Sequence, residues 1–223
     1  MLTEEQKNIL HDVRLSVFDV VGTLYPKDVH VRLGKKYVMK YSIKNWRNIV
    51  IFPELIYKLY VANNLQKNYN RMPEKDQVTT LAYLCVNAPV DAVYKFGEEV
   101  ANMTKPIIHE IIAANPTAER AILTLDDYRV ASAFVRSLGA TRAIALYMEE
   151  KNNRIAKKLR SYALNVQNWD ESRQMLTSKD KLAGFLSILK SAEKSAAETA
   201  YICDNDEGDQ KIIEFQKKNG GIT

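Results

Sequence analysis

The sequence is short of the residues that most often announce a function. Its 223 residues include 2 cysteines, 8 glycines, 6 prolines and 3 histidines. Cys85 and Cys203 lie far apart, which excludes a disulfide framework and a zinc-type spacing, so a reducing, cytoplasmic setting is the expectation. His11, His30 and His109 are scattered with no ligand-like spacing. No uninterrupted apolar run is long enough to span a bilayer, and no membrane role is expected. Glu4 and Glu5 stand where a signal peptide would carry its basic region. Repeats and low-complexity tracts are absent. What is present is ordinary for a globular chain: 46% hydrophobic and 26% charged residues, with a formal net charge of +5. That surplus favours anionic partners only weakly. The length allows one domain with a large insertion.

The chain is organised around one stretch near its start. Leu15-Ser16-Val17-Phe18 is a β-branched and aromatic run that ends on a lone carboxylate, Asp19, and a Gly22-Thr23 turn follows. A buried strand reads that way. In an open parallel sheet, ligands bind beyond the carboxyl ends of strands. Asp19 would therefore face a crevice, as a nucleophile or as a metal ligand. Before it, Thr3 and Gln6 have the spacing of a capping box at the start of a short helix, with Ile9, Leu10 and Val13 as its apolar stripe.

From Tyr25 to about Asn115 apolar residues recur at helical spacing, with Pro53, Pro73, Pro89 and Pro106 at helix starts or breaks. This predicts an all-helical insertion. Beyond it, Ala121 to Thr124 reads as a second strand ending on a hydroxyl. A helix follows, closed by Gly139, and then a third strand over Ala143 to Leu146. Asn152 to Arg160 is basic enough to be surface. Thr177-Ser178-Lys179-Asp180-Lys181 leads into a helix with Leu182, Phe185, Leu186 and Leu189 inward. Thr199 to Asp204 is a strand ending on a carboxylate, and the acids Asp206, Glu207 and Asp209 precede a last helix. Strands separated by helices imply an α/β fold with a three-layer, Rossmann-like parallel sheet. The core would be residues 1–24 and 116–223, and the helical cap residues 25–115. Right-handed crossovers would bring Asp19, Thr124 and Asp204 to one edge.

Phe18-Asp19-Val20-Val21-Gly22-Thr23-Leu24 resembles the first motif of the haloacid dehalogenase-like (HAD) superfamily, in which an Asp opens a D-x-x-G-T sequence. Thr124, a lysine at a helix start, and Asp204 with its following acids stand in the order of the other three motifs. The position of the insertion is most similar to that of the phosphoserine phosphatase-like group, with a helical cap after the first motif. The resemblance implies hydrolysis of a small phosphomonoester through an aspartyl-phosphate, with Mg²⁺ as cofactor. It implies Asp19 as nucleophile and metal ligand, and Asp204 and the Val21 carbonyl as further ligands. Thr23, Thr124 and Lys181 would bind the phosphate, with Lys179 as a rival to Lys181. A second acid normally lies four places after the strand-end Asp; that place is Gly208, so Asp209 or Asp206 would support the metal.

One position departs from the pattern. Phosphatase members carry a second Asp two places after the nucleophile, which protonates the leaving oxygen, and Val21 stands there. A valine can neither give nor take a proton. Reduced or altered activity is expected. The alternatives are a catalytically inactive HAD-fold binding protein, or a dehalogenase-type hydrolase, although no clear halide-binding Arg and Asn set is visible. Lys27, Arg32, Lys35, Lys36, Lys40, Lys44 and Arg47 make the early insertion basic. They read as a solvated helix face before they read as an anion-steering mouth, and nucleic acid is not an expected partner. His30 is a surface residue or a replacement acid. Asp126 and Asp127 cap the following helix, or one of them faces the site.

Overall fold

A computed structural model describes residues 1–26, 85–155, 174–175, 181–204 and 207–223. It also describes Lys36, Lys40, Ile56, Tyr57, Tyr60, Val61, Asn63, Asn64 and Asn68, all of them helical. The strands are β1 (Leu15–Phe18), β2 (Glu119–Asp127), β3 (Arg142–Leu146), β4 (Glu150–Lys151), β5 (Arg154–Ile155), β6 (Gln174–Met175) and β7 (Thr199–Ile202). Among the described residues the α-helices include α1 (Glu4–His11), α2 (Val90–Ala101), α3 (Pro106–Ala114), α4 (Tyr128–Leu138), α5 (Lys181–Ala192) and α6 (Gln210–Lys218). Among the described residues no helix is long and apolar enough to cross a membrane.

Among the described residues five strands form one parallel sheet in the order β6-β3-β2-β1-β7, with helices on both faces. All four residues of β1 are buried, as a central strand of apolar and β-branched residues requires. From β1 the chain steps to β2 and then β3 on one side, while β7 lies on the other side of β1. That reversal opens a crevice at the carboxyl ends of β1 and β7. Phe18 pairs with Ile122 of β2 and with Ile202 of β7, so the loops after these strands begin at one level.

The helices pack by shape as well as by apolarity. α4 lies on β2 and β3, and α2 lies on α4. Gly97 makes that second contact possible, because a Cβ there would stand 2.9 Å from the Val130 Cα. The capping box of α1 forms: the Gln6 N–H donates to Thr3 Oγ1 at 3.2 Å, and the Thr3 N–H donates to Gln6 Oε1 at 2.9 Å. Leu10 and Val13 pack with Ala200 of β7, whereas Ile9 faces solvent at 47% exposure.

Besides Ile9, the structure departs from the sequence expectations at three places. The second strand does not stop at Thr124 but runs to Asp127, with a register irregularity against β3 between Leu123 and Asp127. Asp127 pairs with Leu146, and its carboxylate accepts the Met148 N–H at 3.3 Å, which draws the strand onward. Leu186 points outward, and Ile188 takes the buried place on α5. The segment after Asn152 is not all surface: Asn152 and Asn153, at φ 52 and 58, turn a hairpin of β4 and β5 that buries Ile155 in the core. The proposed division at 25–115 falls largely outside the described residues. Within it, Tyr25 and the apolar face of α2 share one buried cluster with β1 and β2.

Among the described residues Arg129 is the largest fully buried side chain. It donates to both oxygens of Asp127, at 3.1 and 3.0 Å, to the Met148 carbonyl at 3.2 Å and to Glu150 at 3.3 Å. Asp127 also caps α4 through the Arg129 N–H at 3.0 Å. Burial pushes the Asp127 carboxyl up to about 6, against the pull of Arg129. Removing either partner strands a buried charge, at a cost of about 3–5 kcal/mol. The two losses should differ with pH. A carboxyl raised in the folded state gains stability as pH falls from about 6 towards its ordinary 3.8, because only the folded chain then holds the proton. Arg129→Met is therefore expected to recover stability on mild acidification, as Asp127 protonates. Asp127→Ala is not, since a guanidinium cannot shed its charge. Urea midpoints of both variants across this range check the difference.

Candidate active site

Asp19 sits one residue beyond β1 and extends its ladder: its N–H donates to the Ile202 carbonyl of β7 at 3.0 Å. The loop then reverses tightly. Gly22 has φ 87, where a side chain would be strained. Its N–H donates to the Tyr25 carbonyl at 2.8 Å, and the Leu24 N–H donates to the Val20 carbonyl at 2.9 Å. The reversal brings the Thr23 hydroxyl back onto Asp19, where it donates to Oδ2 at 3.1 Å. Lys105, at the start of α3, clamps the loop from outside. Its N–H donates to the Leu24 carbonyl at 2.7 Å, and its ammonium donates to the Gly22 carbonyl.

Two further elements complete the cluster. Lys181, the first residue of α5, donates to Asp19 Oδ1 at 2.8 Å and pairs with Asp209 Oδ1 at 2.5 Å. Asp209, just before α6, is fully buried and also accepts the Tyr201 hydroxyl at 2.6 Å. Asp204 follows β7, and carboxylate oxygens of Asp19, Asp204 and Asp209 lie within 4.8 Å of one another. Asp209 Oδ2 is buried with no hydrogen-bond partner among the described residues.

Packing these groups together perturbs Asp19, Lys181 and Tyr201. Burial pushes the Asp19 carboxyl up to about 6, with Lys181 pulling it down and Asp209 and Asp204 adding to the rise. It remains largely a carboxylate at neutral pH. Burial alone would pull the Lys181 ammonium down, but Asp19 and Asp209 outweigh it and hold it well above the ordinary lysine value. Burial, helped by the charges of Asp19 and Asp209, keeps the Tyr201 phenol protonated and a donor. Three acidic side chains thus stand against one ammonium in a largely buried space.

A second group of polar side chains lies on the β2 side of the loop. Thr124 is 1% exposed, and its oxygen accepts the Asp126 N–H at 3.1 Å. The Tyr25 hydroxyl donates to Asp126 Oδ2 at 3.3 Å, while its ring stacks on Phe134 at 5.5 Å between centroids. Val21 bridges Tyr25 through the backbone, and its side chain packs against the core.

No protein-family model and no curated protein matches the sequence. Solved structures do match its fold. An apo phosphoserine phosphatase superposes with a TM-score of 0.53 at 15% identity, over 93% of this chain and 84% of the other. A HAD-family hydrolase from Salmonella enterica serovar Typhi gives a TM-score of 0.57 at 10% identity, over 96% and 70% of the two chains. A probable phosphoserine phosphatase from Vibrio cholerae gives 0.56 at 10% identity, over 100% and 69%. The chain has the haloacid dehalogenase-like fold.

Within that HAD-like fold, Asp19, Thr23, Lys181, Asp204 and Asp209 come together, and Thr124 lies on the strand beside them. Lys179, Asp206 and His30, and most of the basic insertion, lie outside the described residues. Tyr201 and Lys105 escaped the sequence reading. Tyr201 looked like one more strand aromatic, although a phenol in a buried strand needs a partner for its hydroxyl. Lys105 had no signal beyond its place before Pro106. Tyr201→Phe should leave a buried carboxylate oxygen short of a donor and cost about 1–3 kcal/mol. An unchanged urea midpoint for Tyr201→Phe would contradict this role for the hydroxyl.

Proposed function

We propose that the protein is a Mg²⁺-dependent phosphohydrolase acting on a small phosphomonoester, with Asp19 as nucleophile. The observation that carries this reading is the buried Asp19 carboxylate at the end of β1, held between Thr23 and Lys181 and facing two further carboxylates. The donor set suits a hard divalent cation: all its ligand atoms are oxygens, acidic groups outnumber the ammonium, and one buried oxygen of Asp209 has no hydrogen-bond partner among the described residues. Asp19, Asp204 and Asp209 would hold the ion, with the Val21 carbonyl as a further ligand. When bound, Mg²⁺ would offset the repulsion between the carboxylate nucleophile and the phosphate.

The chain's own residues would do the rest. Thr23 orients Asp19 by its hydrogen bond and leaves the other oxygen to Lys181. Lys181 would shift its ammonium from Asp19 towards the phosphoryl oxygens as charge develops there. Thr124 would donate its hydroxyl proton to another phosphoryl oxygen. Attack by Asp19 splits the reaction into formation and hydrolysis of an aspartyl-phosphate. The inserted segment 25–115 would serve as a cap that excludes water, and the cytoplasm would be the site of action.

Phosphate release from a panel of small phosphomonoesters is expected to need added Mg²⁺, to stop with EDTA, and to be lost in Asp19→Asn. Turnover that survives Asp19→Asn, or that ignores EDTA, would contradict the reading.

A further inference from the structure

Displacement by Asp19 leaves the electron pair of the broken P–O bond on the departing oxygen. An alkoxide leaves poorly unless that oxygen receives a proton, and proton transfer of this kind is typically worth about 10²–10⁴-fold. Val21 cannot supply the proton. Asp204 and Asp209 stand on the β7 side with Lys181 and would be committed to the cation. Among the described residues, a further carboxylate beside the nucleophile loop comes from the opposite side, from β2.

That carboxylate is Asp126. Because Phe18 pairs with Ile122, residues 123–127 of β2 run past the end of β1 and alongside the loop that carries Asp19. Asp126 is 6% exposed. Its Oδ2 accepts the hydroxyl of Tyr25, the residue whose backbone bridges Val21. Its N–H is tied to Thr124, which fixes the local turn. Its neighbour Asp127 is committed to capping α4 and to Arg129. The adjacent carboxylates are thus divided between the core and the loop.

We propose that Asp126 is the proton donor and acceptor of this site, a deepening that rests on the hydrolase reading above. In the first step a bond forms between an Asp19 oxygen and phosphorus. The bond from phosphorus to the leaving oxygen breaks, and the Asp126 carboxyl proton passes to that oxygen. In the second step a water oxygen bonds to phosphorus, the bond to Asp19 breaks and returns its electrons to the carboxylate, and the water proton passes to Asp126. Asp126 ends in its starting form.

The test compares a leaving group that needs a proton with one that does not. The ratio of kcat/KM for dinitrophenyl phosphate to that for a simple alkyl phosphate is measured with Mg²⁺ present. Asp126→Asn keeps the size of the side chain and an acceptor for Tyr25, and it is expected to raise the ratio about 10²–10⁴-fold. If Asn is not accepted in the fold, Asp126→Ser reads the same ratio. Tyr25→Phe removes the hydroxyl but keeps the carboxyl, and it should retain the parent ratio. A parent ratio in folded Asp126→Asn or Asp126→Ser, or an equal rise in Tyr25→Phe, overturns the role of Asp126 and leaves the hydrolase reading standing. A parent protein that hydrolyses neither ester overturns both.

Discussion

The interaction on which the site depends is one largely buried ammonium among three acidic side chains. Lys181 is held between Asp19 and Asp209, and Asp204 stands close by. Groups like these are rarely buried unless paired, since taking each from water costs several kcal/mol. The fold meets that cost with geometry. β1 and β7 lie side by side and end at one level, the turn at Gly22 returns Thr23 to Asp19, and Tyr201 donates to Asp209 from within β7. Each device comes from a different element, so the cluster exists only when the sheet is assembled. A charge set that opposes folding and is nevertheless assembled this carefully points to chemistry.

Much of this was legible in the sequence because the signals were local. A β-branched run ending on Asp19 fixes a buried strand and its exit. Thr3 with Gln6, and Gly139 after Leu138, mark helix ends through their own backbone needs, and both form as expected. The alternation of strand and helix gave the parallel sheet. The first strand-end acid, the helix-start lysine and the acids after the last strand then meet because the topology puts them at one edge.

The parts that were not legible depend on contacts between distant segments. The second strand overran Thr124 because Asp127 and Arg129 are held by Met148 and Glu150, some twenty residues on. No local pattern announces that pairing. Likewise Ile155 is buried by the segment around Asn87 and Ala88, although its own neighbours are basic. The place of Asp209 also needed three dimensions. A count of four residues lands on Gly208, and only the assembled fold brings Asp209 against Lys181 and Tyr201.

The fold and the cluster say more together than either says alone. Neighbours at 10–15% identity establish the architecture, and this chain's own side chains must carry the chemistry. The most direct measurement is mass spectrometry of the protein acid-quenched during turnover of an aryl phosphate with Mg²⁺. The expected result is one added phosphoryl group on the peptide that contains Asp19. Continued release of phosphate with that peptide unmodified at every quench time would contradict a nucleophilic Asp19.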